Sequence, residues 1–253
     1  VFMGTPDFAV SVLDGLVHSA VNFVGVISQP DRPEKSKKEL LPTPVKAFAL
    51  EHQLPVYQPE KIGLLYDELA ALDLDLIVTC AYGQFIPDKI LQLPRRGVVN
   101  VHASLLPKYR GGAPIHTAIL NGETETGVTL MRTIKKMDAG DMIAAVKVTI
   151  TDDDTVGTLH DKLKTAGADL LKVWLDPIVK GEAPSISQDE SQVSFAPNIT
   201  PEQEFISMKR DIKTVYDHVR GLSPWPIGYG IVNGKKLKLI SASIRTSEPN
   251  AAP

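Results

Sequence analysis

The chain has a single cysteine, Cys80, among its 253 residues. An internal disulfide is therefore excluded, and such sparse use fits a reducing compartment, the cytoplasm. Cys80 follows Leu76-Ile77-Val78-Thr79, which reads as a buried strand, so packing accounts for it better than nucleophilic chemistry. No apolar run approaches the roughly 18 residues of a bilayer span, and no signal-peptide pattern opens the sequence. No membrane partner is expected. His and Cys never recur at metal-ligand spacing, so no metal is expected either. The dinucleotide fingerprint is missing as well: Gly4-Thr5-Pro6-Asp7 is not Gly-x-Gly-x-x-Gly, and Pro6 would remove an N–H from a phosphate cradle. A tight strand-to-helix turn fits it better. Internal repeats and low-complexity tracts are absent. Position 1 is not methionine, and the last residues are Pro249-Asn250-Ala251-Ala252-Pro253, so the sequence reads as a fragment or an incomplete chain.

What is present is a core-forming composition, 43% hydrophobic, enough for one large domain and a small one. The first part alternates short apolar runs with helical periods, as parallel α/β sheets do. Strands are expected at Phe23–Ile27, Leu74–Val78 and Val98–Val101, and helices over Ala9–His18, Val45–His52, Leu64–Leu72 and Ala113–Leu120. Two longer strands, Thr126–Ile134 and Met142–Ile150, flank a turn at Asp138. An amphipathic helix follows over Thr155–Val179, with Thr155 or Asp154 as N-cap. Residues 180–200 lose periodicity and read as a linker or an extended crossing segment. Beyond them come a helical stretch, Ile212–Leu222, and short strands around Asn233-Gly234. This divides the chain into 1–184, a linker 185–204, and 205–253.

Net charge is −3, but it is unevenly spread. Residues 32–46 carry five bases against two acids, and residues 209–245 carry eight against two. Basic windows on an otherwise acidic chain steer a polyanion to one place.

The residues that point to chemistry are Asn100 and His102, at the end of the Gly97-Val98-Val99 run. Residues two apart on a strand share a face, so an amide and an imidazole stand side by side. The amide can donate to a carbonyl oxygen as it becomes an oxyanion, and the imidazole can move a proton. Asp138, in Met137-Asp138-Ala139-Gly140-Asp141, can orient that imidazole. Which of His102 and Asp138 accepts the proton is open at this level. After the strand holding Cys80, Tyr82, Phe85 and Ile86 offer apolar walls, Gly83 permits close backbone approach, and Gln84 lies between them. Ligands of open α/β sheets sit beyond such strand ends. His116 suits a substrate contact or a helix surface, and Trp225, between two prolines, a rigid packing post between domains.

Asn-x-His-x-Ser-Leu-Leu-Pro followed by Asp-x-Gly resembles the enzymes that transfer a formyl group from 10-formyltetrahydrofolate. Gly4-Thr5-Pro6-Asp7-Phe8-Ala9, Gln29-Pro30-Asp31-Arg32-Pro33, Pro42-Thr43-Pro44-Val45-Lys46, Arg110-Gly111-Gly112-Ala113-Pro114 and Pro224-Trp225-Pro226 resemble the methionyl-tRNA branch of that family rather than its purine-pathway branch. The resemblance runs from Val1 to about Ala252. It implies a Rossmann-like formyltransferase domain with a mostly parallel sheet, then a small β-rich, OB-like barrel domain, here incomplete. It implies Asn100, His102 and Asp138 as the catalytic set, and a folate pocket at Tyr82, Gly83, Gln84, Phe85, Ile86 and at Ser104, Leu105, Leu106, Pro107. It implies tRNA contacts at Arg32, Lys35, Lys37, Lys38, Lys209, Arg220, Lys235 and Lys236. The implied partners are 10-formyltetrahydrofolate and initiator methionyl-tRNA, met by a monomer. One departure stands out: where many members have Gly-Arg-Gly, this chain has Lys35-Ser36-Lys37, which keeps phosphate attraction and loses a bidentate arginine. The alternatives are a transferase or hydrolase acting on a small amine or on water, and an RNA-binding protein with a degenerate catalytic domain. The basic 205–253 segment argues against the first, and the intact Asn/His/Asp set against the second.

Overall fold

The computed structural model describes residues 1–33 and 40–245. A seven-stranded sheet runs β5-β2-β1-β6-β7-β8-β9, from β1 (Phe2–Gly4), β2 (Val26–Ile27), β5 (Val56–Tyr57), β6 (Ile77–Cys80), β7 (Val98–His102), β8 (Glu125–Arg132) and β9 (Met142–Thr149). The strands from β5 to β7 pair in parallel, while β8 lies antiparallel to both of its neighbours. The sheet is mostly parallel, as expected. A separate two-residue pairing joins β3 (Arg32–Pro33) to β4 (Leu40–Leu41). The helices are α1 (Asp7–Val17), α2 (Pro44–Glu51), α3 (Tyr66–Ala71), α4 (Asp88–Leu91), α5 (Pro114–Leu120), α6 (Val156–Lys180) and α7 (Ile212–Arg220).

Alternation along the strands makes two apolar layers. Phe2, Val26, Val78 and Val99 face a layer that also holds Leu13, Leu159 and Leu163; Met3, Ile27, Ile77 and Val98 face the other, with Ile62, Leu69 and Ile90. Asn100 and His102 continue the pleat face of Val98, past the point where apolar side chains cover it. Helix α6 begins at Thr155, whose hydroxyl accepts from the Thr158 N–H while the Thr158 hydroxyl accepts from the Thr155 N–H. It ends on Gly181, in the left-handed region.

One expectation is corrected here, and two take a definite form. The strand foreseen over Phe23–Ile27 is only Val26–Ile27, because edge pairing to β5 spans two residues on each side. The linker foreseen at 185–204 is not a free tether. Ile186 bridges Met142, Phe195 bridges Arg110, and the Ala196 N–H donates to the Arg110 carbonyl at 2.8 Å. The small C-terminal unit is β-rich, with β10 (Tyr229–Val232) and β11 (Lys235–Lys238) forming a hairpin on the foreseen Asn233-Gly234 turn; among the described residues the barrel amounts to this one hairpin. Among the described residues, no helix is long and apolar enough to cross a membrane.

Candidate active site

Strand order reverses between β1 and β6, and a crevice forms at the carboxyl ends where it does so. There lies a cavity of about 1260 Å³, whose lining includes the residues after β1, after β6 and at the end of β7. Asn100, His102 and Asp138 all line it.

Each of the three is held by a named partner. The Thr79 hydroxyl donates to Asn100 Oδ1 at 2.8 Å, which leaves the amide N–H groups of Asn100 as its free donors. His102, 6% exposed, places Nε2 3.0 Å from the Tyr109 carbonyl. A carbonyl only accepts, so Nε2 carries the hydrogen and the neutral ring keeps its lone pair on Nδ1. Nδ1 lies 3.8 Å from Asp138 Oδ1, an ion-pair distance beyond hydrogen-bond range. The other oxygen, Asp138 Oδ2, accepts from the Gly111 N–H at 2.9 Å.

Backbone strain concentrates around these contacts. Tyr109 (φ 62°), Asp138 (φ 48°) and Ala81 (φ 46°) all adopt left-handed conformations. Such conformations persist only where surrounding contacts impose them. Gly111 (φ 128°) is required by close approach: a Cβ there would lie 2.5 Å from the Ala196 carbonyl oxygen. At Gly140 a Cβ would stand 1.8 Å from the Arg132 carbonyl oxygen, so the Asp138 turn closes only with glycine.

The expected folate residues divide into two groups. Tyr82, Gly83, Gln84, Phe85 and Ile86 line the cavity. Phe85 is 65% exposed at its edge, so it is a wall residue and not core. The Tyr82 carbonyl is fixed by the Thr5 hydroxyl (2.9 Å) and Gln29 Nε2 (3.3 Å). Its phenol is buried with no hydrogen-bond partner among the described residues, and burial pushes its pKa up to about 12. The Gln84 amide turns away to accept from the Ile62 N–H and donate to the Pro59 and Glu60 carbonyls, bracing a neighbouring loop.

Ser104, Leu105, Leu106 and Pro107 leave the cavity's lining just after Ala103. They form a tight turn: the Ser104 hydroxyl donates to the Lys108 carbonyl at 2.7 Å, and the Leu106 N–H donates to the Thr129 hydroxyl at 3.1 Å.

Sequence reading missed the brace around Asp138. Arg110 is fully buried; its Nε and Nη2 donate to Gln188 Oε1, and Nη2 also reaches Glu190 at 2.9 Å. Those partners lie 78 and 80 residues away, beyond any local pattern.

Of the basic residues, Arg32, Lys209, Lys235 and Lys236 are exposed. Lys236 places its ammonium 3.6 Å from the centre of the Tyr229 ring. Lys35, Lys37 and Lys38 lie outside the described residues. Arg220 is corrected: it is 5% exposed, pairs with Asp217 at 2.7 Å, and donates to the Thr151 and Asp154 carbonyls at 2.9 Å. It ties α7 to the loop preceding α6. Asp7, His160 and Asp161 bring potential ligand atoms within 4.8 Å of one another, but the Lys164 ammonium already bonds both carboxylates, at 2.8 and 3.0 Å.

Comparison with known proteins places this geometry. The chain matches the formyl transferase family over residues 1–174 and the formyl transferase C-terminal domain over residues 198–253. A protein of Halalkalibacterium halodurans named methionyl-tRNA formyltransferase is 50% identical over 255 residues, covering 100% of this chain and 80% of its own length. One of Staphylococcus epidermidis with the same name is 50% identical over 246 residues, covering 96% and 79%. The fold is shared with an N-formyltransferase of Helicobacter canadensis in complex with folinic acid and dTDP-3-aminofucose (TM-score 0.73, 20% identity, 94% and 85% covered). It is shared too with a 4-N formyltransferase of Francisella tularensis (TM-score 0.75, 17% identity, 97% and 98% covered). The chain belongs to the formyl transferase family.

Proposed function

We propose that this chain transfers the formyl group of 10-formyltetrahydrofolate to the α-amine of methionine esterified to initiator tRNA. The observation that carries the reading is 50% identity along the whole chain to a protein named for that activity, in a molecule whose Asn100, His102 and Asp138 share one cavity.

In this reading the amine lone pair attacks the formyl carbon, a C–N bond forms, and the carbonyl electrons move onto oxygen. Asn100, its Oδ1 engaged by Thr79, turns an N–H toward that oxyanion. The attacking nitrogen becomes cationic and releases its proton to His102 Nδ1, the ring atom that carries the lone pair. Asp138 lies close enough to stabilise the imidazolium so formed. Collapse of the intermediate returns the electrons to the carbonyl and breaks the bond to N10, which takes up the proton. Folate would lie against Tyr82 to Ile86, whose backbone groups suit the edge of a flat ring, and against Ser104 to Pro107. The same reading carries a monomeric, cytoplasmic enzyme in which the bases Arg32, Lys35, Lys37, Lys38, Lys209, Lys235 and Lys236 attract tRNA phosphates. It also carries the division into a catalytic part to 184, a connecting segment to 204 and a tRNA-binding part beyond.

The test supplies 10-formyltetrahydrofolate with methionyl initiator tRNA, and separately with glycinamide ribonucleotide or an amino sugar nucleotide. Formylation of the charged tRNA alone is expected. Preferential transfer to a small amine overturns the reading.

A further inference from the structure

One wall of the cavity is left unused by the steps above. It consists of Phe8, His116, His160 and Trp225, brought together from α1, α5, α6 and the stretch after α7. The rings touch in sequence. Phe8 and His160 have centroids 5.3 Å apart at 72°, His160 and Trp225 5.4 Å at 90°, and His116 and Trp225 6.4 Å at 73°. Trp225 is 42% exposed, so it is not consumed as a packing post.

We propose that this wall is the subsite for the side chain of the acceptor's aminoacyl group, and that it is where methionine is told from other amino acids. The inference rests on the charged-tRNA reading above. Three observations carry it. Every adjacent ring pair stands near perpendicular, which breaks the wall into edges and grooves and offers no parallel faces to sandwich a flat base. A thioether chain fits such relief, because it bends freely and its sulfur is attracted to ring edges at about 5 Å. The wall is also short of free charge. Burial chiefly, with the nearby His160, lowers the pKa of His116 below the ordinary imidazole value, against the Trp225 carbonyl 3.3 Å from its Nε2. Asp7 and Asp161, beside His160, are both bonded to Lys164. An uncharged, polarisable side chain is what such a wall accepts without leaving a buried charge unpaired.

The test charges one initiator tRNA with methionine or with alanine and measures kcat/KM for each, using wild type, Trp225→Ala and His116→Ala. The readout is the ratio of the two values, which does not depend on how much of a variant is folded. Truncating the groups that hold a substrate side chain costs roughly tenfold or more in discrimination. The methionine-to-alanine ratio should therefore fall at least about tenfold in Trp225→Ala and by less in His116→Ala, with the KM for 10-formyltetrahydrofolate unchanged. If both acceptors slow together and the ratio stays, the wall holds the terminal nucleotide or joins the two parts of the chain, and the inference fails. A wild-type ratio near one overturns it as well. If wild type formylates neither acceptor, the proposed function itself has failed, a result separable from the others.

Discussion

Gln188 holds the Asp138 turn from fifty residues downstream, its Nε2 donating to the carbonyls of Asp138 at 2.9 Å and Gly140 at 2.7 Å. Its Oε1 meanwhile accepts two N–H groups of the buried Arg110. A single amide thus fastens the turn carrying Asp138 to the loop whose Gly111 N–H binds the same carboxylate. The segment that reads as a linker is what keeps His102 and Asp138 at their separation.

Gln188→Glu separates the two halves of that amide's work. A carboxylate still accepts from Arg110 but no longer donates to the two carbonyls. We expect a lowered melting temperature, because a carboxylate oxygen then faces two carbonyls that have lost their donor, with a lower kcat and an unchanged KM for folate. Gln188→Ala also strips Arg110 of an acceptor and should destabilise by about 1–3 kcal/mol. Equal kcat in Gln188→Glu and wild type would show that the turn holds itself.

Asn100→Ala, His102→Ala and Asp138→Ala should each remove most transfer while folate binding survives, because their contacts strengthen toward the transition state. For Asn100→Ala the expected loss in turnover is on the order of 100- to 1000-fold. Thr79→Val removes the hydroxyl that sets the amide's polarity, and should cost less, since the amide can still rotate into place. Single-turnover kinetics with saturating folate check all four. Near-normal turnover in Asp138→Ala would take it out of the catalytic set.

The legible parts of this molecule are those fixed by neighbours in sequence. Alternation over Val98–His102 placed Asn100 and His102 on one face, Thr155 marked the start of α6, and Asn233-Gly234 marked the hairpin turn. Edge strands of two residues carry no period, so Phe23–Ile27 overran what pairing supports. The folding of Ser104–Pro107 depends on Thr129, 23 and 25 residues away, whose hydroxyl accepts from the Leu106 N–H and donates to the Ser104 carbonyl. Arg220 looked like a phosphate contact because charge shows in sequence, whereas its burial against Thr151 and Asp154 is a property of the packed molecule. The Arg110–Gln188 brace needed the same long-range information.

Acid should loosen that brace in a defined window. The hydrogen bonds from Arg110 and then Lys136 hold the Glu190 carboxyl down to about 2, from an ordinary value of 4.5. A carboxyl lowered by folding stabilises fully above its unfolded value and loses that contribution as pH falls toward its folded one. Wild type should therefore exceed Glu190→Gln in melting temperature at neutral pH, and the gap should close between about pH 4.5 and 2. A gap independent of pH would mean that the carboxylate's charge does not matter there.

The exposed and buried bases of the C-terminal unit should part company under salt. Removing one base that neutralises a phosphate lowers the slope of log affinity against log salt by about 0.7 to 0.9. Lys235→Ala with Lys236→Ala, and separately the triple change of Lys35, Lys37 and Lys38 to alanine, should weaken tRNA binding and flatten that slope. Arg220→Met should leave the slope alone and instead cost about 1–3 kcal/mol of stability, because it frees two buried carbonyls and leaves Asp217 with Lys213 as its remaining ion-pair partner. Titrating tRNA at several salt concentrations beside thermal melts reads both quantities on the same samples. An Arg220→Met protein that melts like wild type but binds with a flatter slope would return Arg220 to the RNA surface, and would mean that α7 swings away from Thr151 when tRNA binds.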